Sequence, residues 1–241
     1  MTLHPPMEVT SLHPPQADGA PVAAPLEAVN LYRFYHAGDD ETLALRGVSV
    51  TVASGEFVAI TGPSGSGKST LLACLAGLDE PDGGMVRIEG QQLSRRSEQE
   101  RTRIRARSIG MLFQSMNLVS HLTVTGNVEL AQRLAGRRDP AKVRAVLEAV
   151  GLTNRAGSFP AQLSGGENAR AGLAVAMAND PPLLLTDEPT GEVDHDTSAQ
   201  LLALLRQRAD DGGAVVVVTH NPVVAAAADR VVRLVDGQVA P

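Results

Sequence analysis

Hydrophobic residues in this chain gather into short, wholly apolar runs: Phe57-Val58-Ala59-Ile60, Leu183-Leu184-Leu185 and Val215-Val216-Val217-Val218. Each is followed by polar residues and then a helix-like stretch. Runs without polar alternation suit strands covered on both faces, as in a parallel α/β sheet, where functional residues collect at the carboxyl ends of the strands. Further strand patterns occupy residues 27–34 and 42–52, the second ending in the turn Ala53-Ser54-Gly55-Glu56, and residues 85–88 after Asp82-Gly83-Gly84. Ser97 and Glu100 fit a capping box that opens a helix of about ten residues. Residues 124–134 and 141–150 also read as helices, the second closed by Gly151, as do residues 168–178.

Six of the fifteen prolines and a repeated Leu-His-Pro-Pro fall in residues 1–25, which are expected to form a disordered leader whose His4 and His13 are inert. A net charge of −6, with no Trp, two Tyr and four Phe, argues against a nucleic-acid-binding protein. Arg101, Arg103, Arg105 and Arg107 alternate with Thr102, Ile104 and Ala106 beside Glu98 and Glu100, and are read as a solvated face. The single Cys74 excludes an internal disulfide and is expected to pack. No basic segment precedes an apolar core at the N-terminus, and no run approaches about eighteen apolar residues. The chain is therefore expected in the cytoplasm unless a partner holds it at a membrane.

Candidate chemistry begins at Gly62-Pro63-Ser64-Gly65-Ser66-Gly67-Lys68-Ser69, which meets every position of the phosphate-cradling G-x-x-x-x-G-K-[ST] loop between a strand and a helix opening Ser69-Thr70-Leu71. Glycines at 62, 65 and 67 let backbone amides approach an anion, Lys68 adds a point charge, and Ser69 offers a hydroxyl to Mg²⁺. At the end of the Leu183 run, Asp187 is placed to reach Mg²⁺ and Glu188 to orient an attacking water. At the end of the Val215 run, His220 can donate to a γ-phosphate and hold water and base in line. Leu163-Ser164-Gly165-Gly166-Glu167 opens a helix and offers a second anion site. Two phosphate sites on one chain suggest a dimer in which the Ser164 loop of each copy closes over the nucleotide of the other.

In this combination and order, the motifs resemble the nucleotide-binding subunit of an ATP-binding cassette (ABC) protein over residues 26–239. The resemblance implies a P-loop NTPase (RecA-like) α/β core, an N-terminal antiparallel β subdomain and an inserted α-helical subdomain at about residues 115–165, the whole spanning residues 26–241. It implies ATP and Mg²⁺ as ligands, Gln114 as the loop glutamine at Mg²⁺ and the transport partner, and Asp194 in the loop that crosses the dimer interface. It also implies Tyr35 as the aromatic that stacks on adenine, with Tyr32 and Phe34 as alternatives. Residues 114–124 with Asn127-Val128 resemble the macrolide-exporter and lipoprotein-release (MacB/LolD-like) type, whose partner is a membrane permease with an extracytoplasmic domain. The subunit would sit peripherally on the inner face of the membrane. His121, in this stretch, is read as a surface or packing residue.

The chain departs from the family pattern at Glu167, Asn168, Ala169, Val175, at Glu192-Val193 and at Asn221. The catalytic carboxylate and histidine are unaltered. The departures leave three options beside a homodimer driving a permease: a heterodimer with a different ATPase subunit, a soluble ABC ATPase without a permease, or a weakly hydrolysing nucleotide sensor.

Overall fold

A computed structural model describes residues 23–37, 40–113, 118–191 and 193–240. Most of the expected leader, Gln114 and Glu192 fall outside these residues. Two sheets organise the rest. In the first, β1 (Leu26–Ala37) and β2 (Asp40–Val52) run antiparallel with Leu26 opposite Val52. β1 also pairs with β4 (Gly83–Ile88), and the two-residue β5 (Gln91–Gln92) closes the order β2-β1-β4-β5.

The second sheet contains β3 (Phe57–Thr61), β6 (Ile109–Leu112), β7 (Leu183–Asp187), β8 (Ala214–Val218), β9 (Arg230–Val235) and β10 (Gln238–Val239). Its order is β10-β9-β3-β8-β7-β6, parallel throughout except for the β9–β10 edge. The apolar runs are covered on both faces, as their lack of alternation requires. Val58, Ile60, Leu185, Val216 and Val218 point to one hydrophobic cluster; Phe57, Leu184, Val215 and Val217 point to another.

Seven helices complete the fold among the described residues: α1 (Lys68–Leu75), α2 (Glu98–Ser108), α3 (Val124–Leu134), α4 (Pro140–Ala149), α5 (Gly165–Met177), α6 (His195–Asp210) and α7 (Pro222–Ala226). α1 packs in the first cluster beneath the antiparallel sheet, whereas α5 and α6 cover the opposite face of the parallel sheet. α3, α4 and α5 share a third cluster around Val128, Val146, Leu147 and Ala174. Each fully buried Val or Leu contributes roughly 1.5–3 kcal/mol, so these clusters hold the strand ends that carry the chemistry.

Ser97 and Glu100 form the expected capping box of α2. The arginines of this helix do not form a single solvated face. Arg101 and Arg105, one turn apart, turn inward and are only 14% and 17% exposed at the side chain; Arg101 pairs with Glu80 at 2.8 Å and Arg105 donates to the Gly77 carbonyl at 2.6 Å. Arg103 and Arg107 lie on the exposed side. Period-two alternation in sequence becomes two opposite faces on a helix. Cys74 is buried as expected, and burial pushes its thiol up to about 12. His121 is exposed.

Candidate functional site: a phosphate cleft at the strand ends

β8 lies between β3 and β7, so the carboxyl ends of all three strands are side by side. They meet in a cleft of about 590 Å³ lined by Tyr35, Gly62, Ser64, Gly65, Gly67, Lys68, Ser69, Thr70, Asp187, Glu188 and His220, among others. Pro63 and Ser66 belong to the same loop but not to the cleft wall. Ser66 is buried, its amide donating to the Pro63 carbonyl at 3.2 Å and its carbonyl accepting the Gly237 amide, so it shapes the loop from behind.

The loop between β3 and α1 takes its shape from contacts that only glycine allows. Gly67 has φ 96°, and a Cβ there would lie 2.4 Å from the Ala44 carbonyl oxygen; at Gly62 it would lie 2.1 Å from that of Leu234. Gly67 is also the N-cap of α1 and supplies no side-chain acceptor, so the first amides of that helix are left for an anion. The Lys68 ammonium donates to the carbonyls of Gly62 at 2.9 Å and Pro63 at 2.8 Å, which holds it across the loop.

Asp187 ends β7. Burial pushes its carboxyl above the ordinary range and the charge of Glu188 adds to this, while Lys68 works in the opposite direction. Two adjacent carboxylates facing one lysine create the electrostatic need that a divalent cation relieves, and the Ser69 hydroxyl and Asp187 carboxylate are hard oxygen donors of the right kind. No group of three or more His, Cys, Asp or Glu forms a protein cage among the described residues. Such a donor set fits Mg²⁺ held by few protein ligands together with substrate phosphates.

Glu188 adopts φ 45°, a left-handed conformation that costs a non-glycine residue of order 1 kcal/mol. Its surroundings hold it there. Its amide donates to the Val218 carbonyl, and its carboxylate receives the His220 amide at 3.0 Å and the Thr219 hydroxyl at 3.2 Å. His220 Nδ1 lies 2.7 Å from the same carboxylate, which leaves Nε2 as the free polar atom of a ring that is 77% exposed. The carboxylate and imidazole are thus locked together at the mouth of the phosphate loop.

The other predicted residues stand apart. Ser164 and Gly165 are exposed at the start of α5 and do not line this cleft. Ser164 caps α5 by accepting from the Glu167 amide at 3.2 Å, and the Glu167 carboxylate accepts from the Ser164 amide at 2.8 Å and from Arg155 at 2.9 Å. Asn168 donates to the carbonyls of Pro160 and Leu163, so this departure from the family pattern props the preceding turn. Gly166 abuts the side chain of Thr197, where a Cβ would come within 2.4 Å of Oγ1. Both oxygens of Asp194 are engaged by Thr197, through its amide at 2.9 Å and its hydroxyl at 2.8 Å, which caps α6 and holds the carboxyl below its usual range.

Two parts of the cleft were not expected from the sequence: Thr42, Leu43, Ala44 and Arg46 on β2, and Asp236 and Gly237 at the turn between β9 and β10. Gly237 donates its amide to the Ser66 carbonyl at 3.1 Å and accepts from the Arg46 amide at 2.8 Å, so the C-terminal hairpin braces the phosphate loop. The Asp236-Gly237 dipeptide is a turn signal, but nothing local says what the turn meets.

A phosphate loop, paired carboxylates and a histidine on adjacent parallel strands define a P-loop nucleoside triphosphatase. The ABC transporter family model matches residues 45–191, and the chain belongs to that family. It is 44% identical over 217 residues to an uncharacterized ABC transporter ATP-binding protein of Thermotoga maritima, covering 89% of this chain and 93% of the relative. The methionine import ATP-binding protein MetN of Bordetella avium is also 44% identical, over 87% of this chain and 59% of its own length. The macrolide export ATP-binding/permease protein MacB of Salmonella paratyphi A is 38% identical over 90% of this chain, which spans 34% of MacB. Among solved structures, the dimeric, post-hydrolysis ATP-binding cassette MJ0796 bound to ADP and Pi superposes with a TM-score of 0.82 at 37% identity, covering 90% of this chain and 97% of that one. The expected fold class and ATPase activity are thereby shown. This chain is an ATP-binding, ATP-hydrolysing subunit of a transporter, of a family that works as dimers with a membrane partner. No helix among the described residues is long and apolar enough to cross a membrane.

Proposed function

We propose that this chain is the ATP-driven motor of a separate permease, resting peripherally on the inner face of the membrane. The observation that carries the reading is the 2.7 Å contact between Glu188 and His220 beside the Lys68 loop in one cleft. In this reading the loop amides of residues 62–70 and Lys68 hold the phosphates, and Tyr35 takes the base. Ser69, Asp187 and Gln114 would hold Mg²⁺, which neutralises charge on the phosphates when bound. Glu188 accepts the proton of a water aligned with the γ-phosphorus, and His220 fixes that carboxylate through its backbone amide and turns Nε2 toward the phosphate. Ser164, Gly165 and Gly166 of the second copy cap the nucleotide. Ser164 and Gly165 are exposed and none of the three lines the chain's own cleft, which supports a role in trans, and Asp194 serves by fixing the loop that follows Glu188. The permease is proposed to be of the exporter type with an extracytoplasmic domain, on the resemblance of residues 114–124 with Asn127-Val128; the similarity to both MetN and MacB leaves the direction of transport to experiment.

The test is phosphate release by the purified chain, alone and with the membrane protein that co-purifies with it. The motor reading expects hydrolysis stimulated by that partner. Absence of any membrane partner, with full activity of the isolated chain, would favour a soluble ATPase; absence of hydrolysis in both settings would favour a nucleotide sensor.

A further inference from the structure

Tyr35 reaches the cleft from β1, and its ring is held from two directions. The Arg33 guanidinium lies over one face, 4.8 Å from the ring centroid, and the phenol donates to Asp79 Oδ2 at 2.7 Å. The same Asp79 receives Arg33 as a fork, Nε to Oδ2 at 2.8 Å and Nη2 to Oδ1 at 2.8 Å. Arg33 Nη1 reaches Asp82 at 3.0 Å, and Asp82 also accepts the Phe34 amide at 2.8 Å. A cation paired with two carboxylates in bidentate geometry stays on the ring; it is not available to the phosphates.

Asp79 is itself fixed by α1. The amides of Leu78 and Asp79 both return to the Ala73 carbonyl in the last turn of that helix. A helix of eight residues is about 12 Å long. Its first residue is Lys68, so one rigid element carries the phosphate loop at its start and, just past its end, the carboxylate that sets the aromatic ring. Burial raises the phenol above its ordinary range; Thr70 works against this and Asp79 with it, so the hydroxyl remains a donor at neutral pH.

We propose that Arg33 and Asp79 are positioning residues that preset the open face of Tyr35 for the nucleotide base, at a spacing from the phosphate loop dictated by α1. The inference rests on the assignment of Tyr35 to the base. A tyrosine 40% exposed at a sheet margin would otherwise have to be ordered on binding, and an ordering cost of this kind corresponds to about three- to tenfold in affinity.

The full chain is titrated calorimetrically with two probes, MgATP and magnesium tripolyphosphate, which carries phosphates and no base. Arg33→Gln and Asp79→Asn are each expected to weaken ATP about three- to tenfold, leave tripolyphosphate unchanged, and add nothing in a Tyr35→Ala background. Tyr35→Phe, which keeps the ring and loses the hydroxyl's bonds to Asp79 and Thr70, should weaken ATP less than Tyr35→Ala does. If Tyr35→Ala binds ATP like the native chain, the base assignment falls and this inference falls with it. If Tyr35→Ala loses affinity while Arg33→Gln and Tyr35→Phe keep it, the base assignment stands and the positioning role is refuted. Equal loss of both probes in Arg33→Gln and Tyr35→Phe would also refute it, because the pair would then be structural only.

Discussion

Replacing Glu188 with Gln removes a charge while sparing the frame around it. The carboxylate accepts from the His220 amide at 3.0 Å and the Thr219 hydroxyl at 3.2 Å, and His220 Nδ1 lies 2.7 Å from it. In the variant, the amide oxygen can keep both His220 contacts and the amide nitrogen can face the Thr219 hydroxyl, which is able to turn and accept. The left-handed backbone at φ 45° burdens Gln and Glu alike. Folding stability should therefore fall by no more than about 1 kcal/mol, the difference between charged and neutral hydrogen bonds. What is lost, in the proposed scheme, is the proton acceptor for water. General-base catalysis supplies about 10²- to 10⁴-fold, or roughly 2.7–5.4 kcal/mol of transition-state stabilisation. Steady-state phosphate release should drop by that factor with ATP affinity unchanged, and light scattering should show an ATP-bound dimer that persists. Turnover within about threefold of the native chain, with the variant folded and ATP bound, would refute the assignment of Glu188 as the base.

Asp187→Asn tests the crowded carboxylates. Because its folded pKa is raised, mainly by burial, Asp187 favours folding below its unfolded value near 3.8, and that contribution is lost as pH rises through the raised value. At pH 7 without nucleotide the charge is a cost, so Asp187→Asn should raise Tm by about 1–3 °C, should lose this advantage below about pH 4, and should abolish Mg²⁺-dependent hydrolysis; calorimetric melts across pH check the first two effects. Gly237→Val places a Cβ 2.7 Å from the Ala44 carbonyl oxygen at φ 75°. It should weaken ATP binding about tenfold or more by moving the hairpin off Ser66, whereas Gly212→Val, at φ 93° with open space around it, should cost stability alone. Asn127→Ala should cost about 1–3 kcal/mol in urea melts, because buried Asn127 accepts the Val119 amide at 2.7 Å and donates to the carbonyls of Val119, Leu122 and Thr123.

Local sequence carried most of the site. Strand, glycine loop and helix follow one another within twenty residues at positions 57–75, and the polar residues after Leu185 and Val218 mark strand ends whatever the rest of the chain does. The capping box at Ser97 was legible because both partners sit within one turn, whereas the box formed by Ser164 and Glu167 was found only in the structure. Less legible was β6, whose Ile109-Gly110-Met111-Leu112 follows α2 with no intervening turn signal. β9 and β10 were also missed, since Arg230 and Arg233 break the apolar run on the exposed side of an edge.

Tertiary structure decided what no local pattern contains. Among Tyr32, Phe34 and Tyr35, which one lines the cleft could not be read from alternation, because β1 shifts register against β2 between Ala28 and Tyr32 and again after Arg33. Tyr32 thereby packs over Gly47 and Gly83, and Tyr35 enters the cleft. The phosphate loop gained a brace from Gly237, more than 160 residues away in sequence. The chain alone marked the phosphate loop, the paired carboxylates and the histidine, because those groups ride on loops set by their immediate neighbours. Which side chains press those loops into shape depended on strand order and register, properties of the assembled sheets that no short segment encodes.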